Sequence, residues 1–160
     1  MKRASIIILM VLLLPAAGLL AQSRAVKKND FTLELGGKCL LYSLSYQRMI
    51  GETAGLEAGI SYIGGGGGGD TASALCLSGG LRLYLTKKDA APCFSAGIAY
   101  VTSGTGAGMF DESDSFVYFY AGPGFEYRAS GGFLFRGSVN LLFNGSFFFV
   151  WPGLTLGVTF

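Results

Sequence analysis

Three observations predict an all-β fold, an eight-stranded antiparallel up-and-down transmembrane β-barrel preceded by a cleavable signal peptide. Apolar residues alternate with small or polar ones in eight segments of similar length. The connections between those segments alternate between short and long. One parity of nearly every segment carries no charge.

The leader comes first. Lys2 and Arg3 precede the apolar run "IIILMVLLL" at 6–14, Pro15 ends it, and small residues lead to "LLAQ". This is the pattern of a signal peptide over 1–21, cut between Ala21 and Gln22, with the position after Gly18 as the alternative. A retained anchor helix is the competing reading, but the run is short of the ~20 residues a spanning helix needs. The remainder, 22–160, is the barrel domain, with 10 basic and 10 acidic residues once Lys2 and Arg3 are gone.

The eight predicted strands cover about 31–37, 40–49, 54–63, 74–86, 92–101, 115–128, 132–143 and 151–160. Most approach the ~9–11 residues of a tilted transmembrane strand. The first is short, and "GGKC" at 36–39 leaves its junction with the second open. "GET" at 51–53, "KKDAA" at 87–91 and "ASG" at 129–131 make tight turns on one side. "GGGGGGDTAS" at 64–73, "TSGTGAGMFDESD" at 102–114 and "NGSFFFV" at 144–150 make longer loops on the other. Arg48, Lys87, Lys88 and Arg128 lie by the turns, and Asp70, Asp111, Glu112 and Asp114 in the loops. Eight strands place both termini at the turn side, the periplasmic one.

Bulky apolar residues alone assign the faces. Phe31, Leu33 and Leu35 point one way on strand 1, then Leu44 and Tyr46, Leu56 and Ile60, Leu81 and Leu83, Phe94 and Ile98, Val117 and Phe119, Phe133 and Phe135, and finally Leu154, Leu156, Val158 and Phe160. Charges took no part in that choice, yet Glu34, Glu57, Arg82, Glu126 and Arg136 all fall on the opposite face. Only Arg48 shares the apolar face, at a strand end where it reaches head groups. An Arg facing lipid at the midplane costs ~2–4 kcal/mol, so lipid outside enforces this segregation. A soluble sandwich would show the same alternation, but its polar face would be rich in Lys, Glu, Asn and Gln. Here that face is mostly Gly and Ser, which suits the crowded interior of eight strands. Aromatic residues near strand ends, Tyr42, Tyr62, Tyr100, Tyr127 and Trp151, fit girdles at the two interfaces.

The inward charges are lumen ion-pair candidates. Glu126 opposes Arg136 if strands 6 and 7 pair with positions summing near 262, and Glu57 opposes Arg82 if strands 3 and 4 sum near 139. Glu34 joins either arginine. These five residues are read as a network that fixes register, with a gate or proton path as the alternative.

Several classes are excluded. Only 14% of residues are charged against ~25% in soluble domains, formal net charge is +2, and no basic run exists, so nucleic acid is not an expected partner. Histidine is absent, which removes the usual general base and metal ligand. Cys39, Cys76 and Cys93 have spacings that fit no metal motif; an odd count leaves at least one unpaired or paired between chains, and they are read as small fillers with at most one disulfide. The glycines at 64–69 lack the following helix of a phosphate-binding loop and are read as a solvated hairpin loop. No catalytic, metal or cofactor-binding residues, and no cofactor, are expected.

"LELGGKCLLYSLSYQRM" at 33–49, "GGFLFRGSVNLLF" from 132 and "WPGLTLGVTF" at 151–160 resemble the small eight-stranded outer-membrane barrels of the OmpA and OmpX kind, and more closely an uncharacterised group of such barrels common in Bacteroidetes-type bacteria. The resemblance implies a Gram-negative outer membrane, reached through the periplasm. It implies that Leu154, Leu156, Val158 and Phe160 form the signal read by the barrel-assembly machinery. It supplies fold and place, and no substrate. The expected role is therefore structural or surface-interacting, non-enzymatic, with outer-membrane lipid and an extracellular ligand met through the long loops as partners. A narrow pore and a soluble exported lipocalin-like protein are the alternatives. A lipid-acting enzyme is disfavoured, since a serine hydrolase needs a histidine.

Overall fold

The computed structural model describes residues 26–67, 70–106 and 112–160. The expected signal peptide, Asp111 and the centre of the glycine loop lie outside the described residues.

Eight strands pair in chain order and close into a barrel: β1 (Asn29–Gly36), β2 (Tyr42–Met49), β3 (Ala54–Gly67), β4 (Asp70–Tyr84), β5 (Ala90–Gly106), β6 (Glu112–Arg128), β7 (Phe133–Phe143) and β8 (Phe148–Thr159). Every neighbouring pair is antiparallel. The seam runs between β1 and β8, from Asp30 opposite Thr159 to Gly36 opposite Gly153. Closure gives both edge strands a partner, so no row of backbone N–H and C=O groups is left unpaired along the wall.

The faces follow the sequence alternation. On each strand most large apolar residues point outward and remain exposed, as with Phe31, Leu44, Leu56, Leu81, Ile98, Phe119, Phe135 and Leu156. The inward set is mostly Gly, Ser, Thr and the buried charged residues, joined by Met49, Tyr84, Tyr118, Tyr120, Leu134 and Leu142. Arg48 is outward and exposed at the turn end of β2.

Strand bounds depart from expectation at the other end, here called the mouth. Residues 64–73 and 102–114 are largely ladder: Gly64 pairs with Ser73, Gly66 with Thr71, Ser103 with Asp114 and Thr105 with Glu112. The apolar alternation stops there, but a ladder needs only backbone donors and acceptors, and it continues. β8 likewise begins at Phe148 rather than 151. Trp151, expected in an exterior girdle, has inward parity. Its indole N–H donates to the carbonyl of Leu40 at 2.7 Å, and it packs against the buried cluster at the mouth.

The β1–β2 junction is resolved by a turn rather than by longer strands. A single 3₁₀ turn, Gly37–Cys39, folds inward and is buried. Gly36 and Gly37 have φ of 70° and 71°, in the left-handed region that glycine enters without strain, and Leu40 follows at 69°. These dihedrals turn the chain down into the barrel instead of over its rim.

The interior has two layers. Around the turn end, Met49, Tyr84, Ala91 and Cys93 pack beneath a belt of buried charged side chains. Around the mouth, Cys39, Cys76, Ala99, Tyr118, Tyr120 and Leu142 form an apolar plug. Tyr120 lies over Gly80 and Gly97, where any Cβ would collide with its ring or hydroxyl.

Candidate functional site

The lumen is where chemistry-bearing side chains meet. Glu126, at the inward face of β6, opposes Arg136 of β7 in the ladder. Its Oε2 accepts from Arg136 Nη2 at 2.6 Å, from Arg136 Nε at 2.8 Å and from the Tyr84 hydroxyl at 2.8 Å. Its Oε1 accepts from Arg128 Nε at 2.7 Å. Arg128 extends the chain to Asp30 at 2.6 Å. Its guanidinium also stands 5.8 Å from the centre of the Tyr84 ring.

In the other direction, Arg136 Nη1 reaches Glu57 Oε2 at 3.2 Å, and Arg82 Nη2 reaches the same oxygen at 2.8 Å. Gln47 ties the arginines together: its Oε1 accepts from Arg136 at 3.0 Å and from Arg82 at 3.2 Å, while its Nε2 donates to Tyr84 at 2.8 Å. Glu57 Oε1 then accepts from Lys38 Nζ at 2.7 Å, and Lys38 also reaches Glu34 at 2.8 Å. The result is one connected path, Asp30–Arg128–Glu126–Arg136–Glu57–Lys38–Glu34, with Arg82 as a branch. It holds four acids and four bases, and every member is buried. Equal numbers matter, because an unpaired charge in this setting carries a desolvation cost that nothing offsets.

The five residues singled out from sequence all stand in this path. The register of one pair differs: Glu57 lies opposite Gly80, and Arg82 opposite Gly55, so the β3–β4 sum is 137 and not 139. The Arg82 side chain is long enough to cross the two-residue offset and still meet Glu57. Glu34, expected to join an arginine, instead takes Lys38 and the hydroxyl of Ser43, the latter at 3.3 Å.

Five participants were missed. Asp30 shares the inward parity of Thr32 and Glu34, and a strand begun two residues earlier would have included it. Arg128 shares the parity of Glu126 but ends its strand, where sequence alone places it by the turn. Gln47 and Tyr84 are inward by parity but carry no formal charge, so a pattern of charges does not mark them. Lys38 had no parity to read, since it sits in the inward turn.

That turn is held from several sides. Cys39 is joined to Cys76 of β4 by a disulfide with Cα atoms 6.0 Å apart, while Cys93 is free and buried. The Tyr118 hydroxyl of β6 donates to the Lys38 carbonyl. On β8, Leu154, Leu156 and Val158 point outward, and Phe160 just beyond it exchanges two backbone hydrogen bonds with Asn29, at 2.9 and 2.8 Å.

No protein-family model and no curated protein sequence matches the chain. Among solved structures it is similar to the N-terminal β-barrel domain of OprF from Pseudomonas aeruginosa, at 15% identity over 83% of this chain and 96% of that one, with a TM-score of 0.61. It is also similar to the outer-membrane protein Ail of Yersinia pestis in a phospholipid bilayer nanodisc, at 11% identity over 84% of this chain and 99% of that one, with a TM-score of 0.52. At such identities the likeness is one of fold, and the fold is the eight-stranded closed barrel of small outer-membrane proteins.

Proposed function

We propose that this chain is a non-enzymatic outer-membrane β-barrel that stabilises the membrane and presents its mouth-end hairpins, β3–β4 and β5–β6, to the outside. The observation that carries the reading is the outer wall. All eight strands leave large apolar side chains exposed there, while every buried charged residue of the strands points inward. In water that arrangement would leave an apolar surface far beyond the few hundred Å² a soluble monomer shows. In hydrocarbon it is the favourable arrangement, and closure satisfies the backbone.

Two further observations support the reading. The neutral ion-pair path and the inward turn occupy the lumen, which favours a closed barrel over a conducting one. Ail, whose fold this chain shares, was solved in a phospholipid bilayer, which supports lipid as the surroundings here. In this reading residues 1–21 direct export to the periplasm of a Gram-negative cell, and Leu154, Leu156, Val158 and Phe160 are read by the assembly machinery during insertion.

The test is a carbonate wash of the envelope fraction followed by gel migration with and without heating. The expected result is retention in the membrane pellet and faster migration of the unheated form. Release by carbonate with one gel position would overturn the membrane reading in favour of a soluble carrier. In planar bilayers the purified barrel should be silent; steady unitary steps would overturn the closed lumen and leave the location standing.

A further inference from the structure

The inward turn makes a contact that a structural network alone does not require. Lys38 carries its ammonium down into the barrel, where it joins Glu57 at 2.7 Å and Glu34 at 2.8 Å. Two carboxylates from different strands therefore converge on one cationic nitrogen. The floor beneath it is cleared by Gly59: a Cβ there would stand 2.7 Å from Ser78 Oγ, 2.6 Å from Ser45 Oγ and 3.1 Å from Lys38 Cε. Among the described residues Ser78 Oγ has no hydrogen-bond partner, although Ser78 is only 8% exposed. A buried hydroxyl beside the lysine stem thus remains a polar group that the lysine does not answer.

The lysine belongs to no strand. It rides on the 37–39 turn, and that turn is fastened to β4 by Cys39–Cys76. The guest is thus delivered by a segment with one covalent clasp at the mouth.

We propose that residues 37–40 are a disulfide-latched internal plug, and that Lys38 occupies, as a tethered guest, a site between Glu34 and Glu57 that accepts a small primary ammonium ion when the plug is out. Release requires a dithiol reductant. The Cys39–Cys76 bond takes two electrons and two protons to become two thiols, and the dithiol is oxidised to its own disulfide. The site recognises a primary ammonium because its two carboxylates accept N–H donors and the dry surroundings strengthen charge-assisted bonds. A neutral alcohol of the same size lacks the charge.

The full-length barrel in phospholipid nanodiscs provides the test. Lys38 acylation by a water-soluble succinimidyl ester is read by peptide mass spectrometry before and after dithiothreitol, with gel migration confirming that the barrel stays folded. The oxidised protein should leave Lys38 unmodified, and reduction should raise its modification at least tenfold. Equal protection after reduction would overturn the latch. Modification of the oxidised protein would overturn the plug.

The site is tested separately with Lys38→Ala under reducing conditions. Ethylammonium chloride should raise the melting temperature saturably, by several degrees beyond an equal concentration of sodium chloride or ethanol. No difference among the three additives would overturn the ammonium site. Should Lys38→Ala fail to fold, reduced wild type gives the same answer through amide hydrogen exchange at residues 38–41: ethylammonium must speed exchange there by displacing the lysine, beyond equal sodium chloride or ethanol, and no difference counts against the site.

Discussion

The two ends of the lumen are filled in opposite ways. The half nearer the turns is packed with charge, where Asp30, Glu57, Glu126, Arg82, Arg128 and Arg136 lie within one hydrogen-bonded path. The half nearer the mouth is packed with Tyr118, Tyr120, Leu142, Ala99 and a disulfide. Both halves face the same difficulty, a narrow cylinder with an apolar outer face and an interior closed to bulk water. The comparison teaches that charge and aromatic bulk are alternative fillers with different failure modes. A charged filler fails when one partner leaves, because the rest stay buried without compensation. An apolar filler fails by the volume it vacates.

The largest expected effect comes from breaking the charged half. Arg136→Ala removes donors to Glu126, Glu57 and Gln47 together, and about 3–5 kcal/mol of unfolding free energy should go with it. Urea unfolding in lipid vesicles measures the loss, and the unheated gel mobility should shift toward the unfolded position. Replacing both members, Arg136→Met with Glu126→Leu, should cost less than the two single changes added together. Loss below about 1 kcal/mol with unchanged mobility would show that the path contributes no cohesion.

A smaller effect is expected from the apolar half. Leu142→Ala vacates volume among Tyr118, Tyr120 and Trp151, at about 2–5 kcal/mol, the lower end if the rings relax. The residue lies six positions from Arg136 on β7, roughly 20 Å along a strand. The two changes should therefore add to within about 0.5 kcal/mol. A coupling well above that would mean the two layers act as one.

How much of this was legible depended on periodicity. The face of each strand is readable because one apolar rule runs through every second residue, and Phe31, Leu83, Phe135 and Leu156 obey it. The Glu126–Arg136 register was readable because a tight turn at 129–131 leaves few alternatives. The β3–β4 register differs by two residues from expectation because the glycine-rich hairpin offers no side chain to mark its tip. Lys38, the Cys39–Cys76 pairing and the inward course of the turn were not legible. They depend on φ values near 70° at Gly36, Gly37 and Leu40 and on contacts from β4, β6 and β8, none of which leaves a local pattern. Trp151 shows the same limit in miniature: its parity put it inward, but its residue type suggested an interface.

The smallest expected effect separates buried from exposed pairing. Lys87 and Glu52 form an ion pair between the β4–β5 and β2–β3 turns, with side chains 71% and 49% exposed. Both groups keep most of their hydration, so the pair gains little over water, and salt screens what remains. Lys87→Ala should change unfolding free energy by no more than about 1 kcal/mol, and the change should vanish as salt is raised. The loss caused by Arg136→Ala should hold steady over the same salt range, because counterions do not reach a side chain only 1% exposed. If salt erased both effects alike, the lumen would have to admit ions to the level of Arg136, and the closed interior on which the contrast between the two pairs depends would be wrong.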